Sequence, residues 1–176
     1  MERAISAASI AHKINAPTTT LVLATLEDFD WMLRGEPRSA RGLLLPPGGV
    51  DDRAVLTHVR TLATSLYEQK CNGSWMIVSG DEIVGLCGYH KPPRNGEVEI
   101  GYGIAQSHRK LGHATRAVAA IIEHASQDST IKSIVAETTT SNLPSGRVLA
   151  NNGFVQVGTR HSAEDGDLIC WRKNLV

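Results

Sequence analysis

Residues 97–115 read EVEIGYGIAQSHRKLGHAT, and the period of this stretch changes part-way. From Glu97 to Ile104 the residues alternate, with Glu97, Glu99, Gly101 and Gly103 on one face and Val98, Ile100, Tyr102 and Ile104 on the other, as a strand requires. From Ala114 onward Ala117, Val118, Ile121, Ile122 and Ala125 fall on one helical stripe. A short loop therefore leaves a strand and enters a helix whose first turn carries Gly112 and Ala114, where bulk would block access. Such a turn leaves four N–H groups unpaired and presents about half a positive charge. Arg109 and Lys110 add full charges. These features fit a pyrophosphate site, and they equally fit a basic, solvated loop.

Other readings of the stretch fail on context. Gly101-Tyr102-Gly103 begins like a dinucleotide fingerprint, but Gln106 stands where the third glycine belongs and both glycines lie inside the strand. No Gly-Lys-Ser/Thr follows. Ser107 to Lys110 spells SxxK without its companion motifs. His108 and His113 are five apart, a spacing that does not place a metal pair on one helical face, so no metal is expected.

Working outward, Thr19–Thr25 reads as a strand and Glu27–Leu33 as a short helix. Gly35–Gly49, with Pro46-Pro47-Gly48-Gly49, is loop, and Asp51 or Asp52 can cap a helix carrying Val55, Val59, Leu62, Ala63 and Leu66. Trp75–Ser79 and Ile83–Tyr89 form a hairpin that continues into the 97–104 strand as a meander. Ile131–Ala136 reads as a buried strand. Asn142–Asn152 reads as a helix, with Pro144 in its first turn and Gly153 past its end. Phe154–Thr159 and Leu168–Trp171 close the chain as a second hairpin. This order is α/β or α+β with a mixed sheet in one domain, residues 17–176, after an N-terminal extension over residues 1–16.

Composition agrees with one globular domain. The chain has 176 residues, 41% of them hydrophobic and 20% charged, which excludes disorder and coiled coil. Eighteen basic residues balance eighteen acidic ones, so nothing in the charge points to nucleic acid or anionic lipid. Cys71, Cys87 and Cys170 form no CxxC pair and read as reduced thiols. No run approaches the ~20 apolar residues of a membrane span. A cytoplasmic protein is expected.

Two blocks resemble one family. Arg109-x-x-Gly112-x-Ala114, after a strand and opening a helix, resembles the acetyl-CoA pyrophosphate motif of the GNAT superfamily of N-acetyltransferases. Residues 137–154, ETTTSNLPSGRVLANNGF, resemble its Asn-x-x-Ser-x-x-Val-Leu-x-x-x-Gly-Phe segment through Asn142, Ser145, Val148, Leu149, Gly153 and Phe154. The pattern is closest to the RimJ/RimL-like branch, which includes enzymes that acetylate protein N-termini. The resemblance runs from about Thr19 to Lys173 and leaves out residues 1–16 and the loop from Arg34 to Gly49.

The resemblance implies a mixed, mostly antiparallel sheet flanked by about four helices and splayed at a cofactor cleft. It implies acetyl-CoA as cofactor and an amine, of a small molecule or a peptide N-terminus, as acceptor; a dimer is common among similar proteins. Ile104 and Ala105 would lie beside the pantetheine arm. Gln106, Arg109, Lys110, Leu111, Gly112, His113, Ala114 and Thr115 would surround the pyrophosphate. Asn142 would bond the arm and Ser145 would sit near the thioester sulfur, while a helix cap and first turn account for the same two residues.

Direct transfer needs a neutral amine. At pH 7 about a tenth of an α-amine is neutral, but only about one lysine amine in 2,500. Carboxylates beside bare glycine backbone make Glu99 the first candidate base, direct or through water, and Glu97 the second; a solvent-facing strand edge would show the same residues. Many superfamily members carry a tyrosine seven positions after the motif asparagine to protonate the leaving thiolate; position 149 here is leucine. Ser145 could donate instead. Tyr102, His90 and Cys87 are read as packing. A CoA-binding sensor of the same fold that has lost turnover is the alternative that Leu149 leaves open.

Overall fold

The computed structural model describes residues 18–175; the expected extension, residues 1–16, lies outside them. The elements run β1 (Thr20–Leu23), α1 (Leu26–Arg34), α2 (Arg53–Glu68), β2 (Ser74–Ser79), β3 (Glu82–Tyr89) and β4 (Glu97–Ile104). A 3₁₀ turn at Gln106–His108 leads to α3 (His113–Ser126), β5 (Ser133–Thr139), α4 (Leu143–Asn151), β6 (Val155–Ser162) and β7 (Gly166–Asn174). The seven strands make one sheet in the order β1-β2-β3-β4-β5-β7-β6. Every neighbouring pair is antiparallel except β4 and β5, which run parallel. Among the described residues no helix is long and apolar enough to cross a membrane.

Local sequence explains the helices nearest the site. Thr25 starts α1 with a capping box: its hydroxyl accepts from the Asp28 amide at 3.2 Å, and the Asp28 carboxylate accepts from the Thr25 amide at 2.8 Å. Phe29, Trp31 and Met32 then face inward. Asp52 stands at the start of α2 but makes no side-chain cap. The expected capping is not made; the Asp51 carboxylate accepts from the Asp52 amide, at 2.8 Å. The αL glycine at Gly153, φ +78, ends the α4 turn as expected.

Two cores sandwich the sheet. Helices α1 and α2 bury Phe29, Met32 and Leu56 against Met76, Val78, Ile83 and Leu86. On the opposite face α3 and α4 bury Ala117, Val118, Ile121 and Leu149 against Ile77, Val98, Ile100 and Trp171. Alternation in the meander follows from register. Cys87 pairs with Tyr102 and Tyr89 with Ile100, which sets both pairs toward α3 and turns Gly101 and Gly103 toward α2.

Two stretches depart from expectation. The strand expected at Ile131–Ala136 runs instead from Ser133 to Thr139. Lys132 and Ser133 amides both donate to the Gly96 carbonyl, which fixes the start, and pairing with β7 carries the strand on to Thr139 opposite Leu168. The last hairpin is also longer than its apolar residues show, pairing out to Ser162 opposite Gly166. Its outer strand, β6, lies at the sheet edge and is exposed almost throughout, so no apolar alternation reports it.

Candidate active site

The parallel pair β4–β5 is joined only from Glu97, Val98 and Glu99 to Ser133, Ile134 and Val135. Beyond Glu99 the strands part, so among the described residues the β5-facing edge of β4 from Ile100 to Ile104 has no strand partner. Unpaired strand edge invites an extended ligand, because its amides and carbonyls need partners. At the mouth of this gap the loop 106–112 and the start of α3 stand open. Gln106, Arg109, Lys110, Leu111 and Gly112 are exposed, and no side chain caps the helix. Its first turn therefore keeps free amides directed outward, at the positive end of the helix dipole.

Gly112 makes the opening. It sits at φ +80, and a Cβ placed there would meet Arg116 Nη1 at 2.8 Å. Arg116, which the sequence motif did not single out, holds the turn from below: Nη2 donates to the Leu111 carbonyl at 2.8 Å and Nε to Thr19 Oγ1 at 2.8 Å. Only the i, i+4 spacing from Gly112 could have marked it. Two predicted contacts are engaged with the protein instead. The His113 side chain is buried and lies 2.9 Å from Thr19 Oγ1, so its imidazole packs inward and only its backbone is at the helix start. Ala105 is buried, donates to Val84 O and accepts from the His108 amide. Ile104 O accepts from Arg109 Nε at 3.2 Å, which folds this arginine back over the strand end.

His113 yields a prediction with a definite sign. Burial, and then the Arg116 cation, hold its imidazole below the ordinary range. In the unfolded chain it takes up a proton from about pH 6.5 downward. Stability contributed by neutral His113 is therefore complete above that value and is lost as pH falls through the lower folded-state pKa. Urea unfolding between pH 7.5 and 5 should show a steeper loss in wild type than in His113→Gln. Parallel pH profiles would contradict this.

On the α2 side of the gap lies a cleft of about 330 Å³, with Val55, Val59 and Leu62 of α2 on one wall and Gly101 and Gly103 as its bare floor. The expected facing of the 97–103 stretch is seen here. Asp51 Oδ2 lies 3.5 Å from where a Gly103 Cβ would be, and a Cβ on Gly101 would collide with His90 Nε2. His90 Nδ1 is 3.1 Å from Glu99 Oε1. That imidazole, together with Lys91 and Arg160, holds the Glu99 carboxyl below the usual carboxylate range against the opposing effect of burial. Glu97 is placed differently from the reading that made it a second base. Its carboxylate is held by Arg172 and lies 3.4 Å from Ser133 Oγ, outside the cleft lining. Glu137, which the sequence motif only bordered, does line the cleft and is paired with Arg160.

Across the gap, Asn142 Oδ1 caps α4 by accepting from the Ser145 amide at 3.2 Å, which leaves its Nδ2 for other partners. Ser145 Oγ lies 2.7 Å from Tyr102 Oη, and that hydroxyl also donates to Ser145 O at 3.0 Å. Tyr102 was read as packing. It packs, and it also brings a second hydroxyl to Ser145, with burial pushing its pKa up and the serine bond opposing this. Leu149 is fully buried and presents nothing to the cleft. Cys87 does pack: it is buried, and burial raises its thiol far above the range of a nucleophile.

The domain family described as Acetyltransferase (GNAT) domain matches residues 19–155, which is most of the chain and includes both motifs. The chain belongs to the GNAT acetyltransferase family. Among its relatives is the ribosomal-protein-serine acetyltransferase of Escherichia coli (strain K12), 32% identical over 100 residues, 56% of each protein. The chain spans little more than half the length of the curated relatives it matches. RimJ of Mycobacterium smegmatis, solved with a CoA disulfide, shares the fold at a TM-score of 0.68 and 20% identity, over 90% of this chain and 83% of that one. Aminoglycoside acetyltransferase AAC(6')-Ib, solved with coenzyme A, does so at 0.66 and 20%, over 89% and 95%. The GNAT fold thus has the mixed, mostly antiparallel sheet and four helices that the motifs imply.

Proposed function

We propose that this GNAT chain transfers an acetyl group from acetyl-CoA to a primary amine, of a peptide N-terminus or of a small molecule. The observation that carries the reading is the parting of β4 and β5 beyond Glu99, continuous with the uncapped start of α3 at Gly112. The parted edge suits a pantetheine arm, and the amides from Gly112 to Thr115 with Arg109 and Lys110 suit a pyrophosphate. The names of relatives that act on a ribosomal protein and on aminoglycosides support an amine acceptor.

Acetyl-CoA is a substrate in this reading and supplies the activated thioester. The chain's own residues do the rest. Bare Gly103 lets the acceptor approach the backbone of β4, the His90 imidazole stands over Gly101, and the Glu99–His90 pair at the cleft drains the amine's proton. The Ser145–Tyr102 hydroxyl pair faces the departing sulfur. This pair supplies the donor that Leu149 cannot, which favours turnover over a silent sensor. Ser145→Ala is expected to lower kcat about tenfold, with Tyr102 Oη as the remaining donor and acetyl-CoA affinity little changed; a full general acid contributes about 10²–10⁴. An unchanged kcat in both Ser145→Ala and Tyr102→Phe would remove this pair from the reaction.

The reading is tested by following CoA release with peptides of varied N-terminal residue and with small polyamines and aminoglycosides. Turnover on any amine supports it. Tight acetyl-CoA binding with no turnover across the panel would replace it with the sensor reading.

A further inference from the structure

We propose that His90 Nε2 takes the proton of the acceptor amine, that Glu99 is the positioning residue that orients the imidazole through Nδ1, and that Gly101 is bare to leave room for Nε2. This rests on the acetyl-transfer reading above and assigns the proton acceptor within it.

Three observations place His90 ahead of Glu99. First, His90 lines the cleft and Glu99 does not. Second, the carboxylate is already used: Oε1 lies 3.1 Å from Nδ1, an ion-pair distance that favours a proton on Nδ1 and leaves the Nε2 lone pair for the cleft. Third, a methyl group at Gly101 would occupy the position of Nε2. The imidazole therefore stands over Gly101, one of the two β4 residues on this face that have no side chain. A free imidazole is also about two pKa units better matched to an α-ammonium than a free carboxylate, about a hundredfold in proton transfer. The charged groups around it are Glu99 on β4, Lys91 beside it in the chain, Glu137 and its partner Arg160 on β5 and β6, and Asp51 and His58 from the α2 wall. Carboxylates thus stand on both sides of the imidazole, beside Lys91 and Arg160.

The proton balance is complete. The ammonium gives one proton to His90 Nε2, and the resulting amine forms a C–N bond with the thioester carbonyl carbon. The C–S bond breaks as the carbonyl re-forms, and the second proton on nitrogen passes to the departing sulfur, giving the amide and the CoA thiol. The imidazolium returns its proton to solvent, to which its side chain is 42% exposed.

The test has a part that needs no substrate. In ¹⁵N-histidine spectra of the free protein, assigned by the loss of one resonance pair in His90→Gln, neutral His90 should be the Nδ1–H tautomer. The same spectrum in Glu99→Ala should shift toward the Nε2–H form; an Nε2–H tautomer in wild type would overturn the proposal. In turnover, His90→Ala should lose about 100-fold in kcat with acetyl-CoA affinity unchanged, within the range of general-base effects. Added imidazoles should restore rate in proportion to their basicity. Gly101→Ala should lose kcat similarly, because its Cβ evicts Nε2. Full activity in His90→Ala, or loss without imidazole rescue, would return the role to Glu99. A wild type that acetylates no amine would fail the parent reading instead, and the tautomer would still report on the His90–Glu99 pair.

Discussion

Gly112→Glu should abolish measurable acetyl-CoA binding, raising Kd by at least 100-fold, while lowering the thermal midpoint by only a few degrees. Three effects add. The position is left-handed at φ +80, where a Cβ costs about 1 kcal/mol. The side chain would project into the open mouth of the α3 turn, where a diphosphate must approach the amides. A carboxylate about 4 Å from a phosphate charge costs about 4 kcal/mol at the effective dielectric of a protein surface. The new carboxylate would also meet Arg116, whose Nη1 lies 2.8 Å from the added Cβ, and so would withdraw a cation from the same turn. Gly112→Ala separates the causes: it carries the backbone strain without the charge, so it should share the small loss of thermal midpoint while its acetyl-CoA affinity falls by no more than about fivefold. Fold effects are confined to that strain, since Gly112 is exposed and buries no apolar contact. Calorimetric titration with acetyl-CoA decides the matter. Wild-type affinity in Gly112→Glu would mean that the nucleotide lies elsewhere.

The same turn shows what a sequence can and cannot reveal. Residues 97–125 declared their strand, loop and helix because the alternation and the helical stripe are both set by burial, and burial is what the period of a sequence records. The two faces of β4 followed from alternation alone, down to the bare floor at Gly101 and Gly103. The partners of those faces did not follow. Arg116, which bonds the loop at Leu111, is steadied by Thr19, 97 residues away, and Tyr102 meets Ser145 across 43 residues. No local pattern encodes which hydroxyl will stand opposite which serine. Read alone, His90 follows a buried tyrosine at a strand end and looks like packing. Only the register of β3 against β4, with Gly88 opposite Gly101, sets it over the missing Cβ. Glu97 shows the converse. It has the right facing and the right chemistry, yet Arg172 from a strand two places away in the sheet occupies it. A side chain's facing can be read from the chain, whereas its engagement depends on elements that arrive from far along it.

Glu99→Ala is expected to lower kcat about 100-fold, or about 2.7 kcal/mol in the barrier, while acetyl-CoA affinity stays within twofold. The separation of the two effects follows from position. Glu99 stands at the last paired residue of the β4–β5 junction, on the α2 face, opposite the side where α3 and its open amides pack. It can therefore influence the acceptor's proton without touching the diphosphate. Replacement by glutamine then distinguishes how the carboxylate acts. An amide oxygen can still accept from the imidazole Nδ1–H, so a positioning carboxylate loses only about tenfold in Glu99→Gln, consistent with a retained neutral hydrogen bond in place of a charged one. A carboxylate that itself removes the proton loses as much in Glu99→Gln as in Glu99→Ala, since an amide has no basicity to offer at neutral pH. Steady-state kcat for the two variants, measured beside Kd for acetyl-CoA, gives both answers. Equal and small losses in both would place the proton's route outside Glu99 altogether.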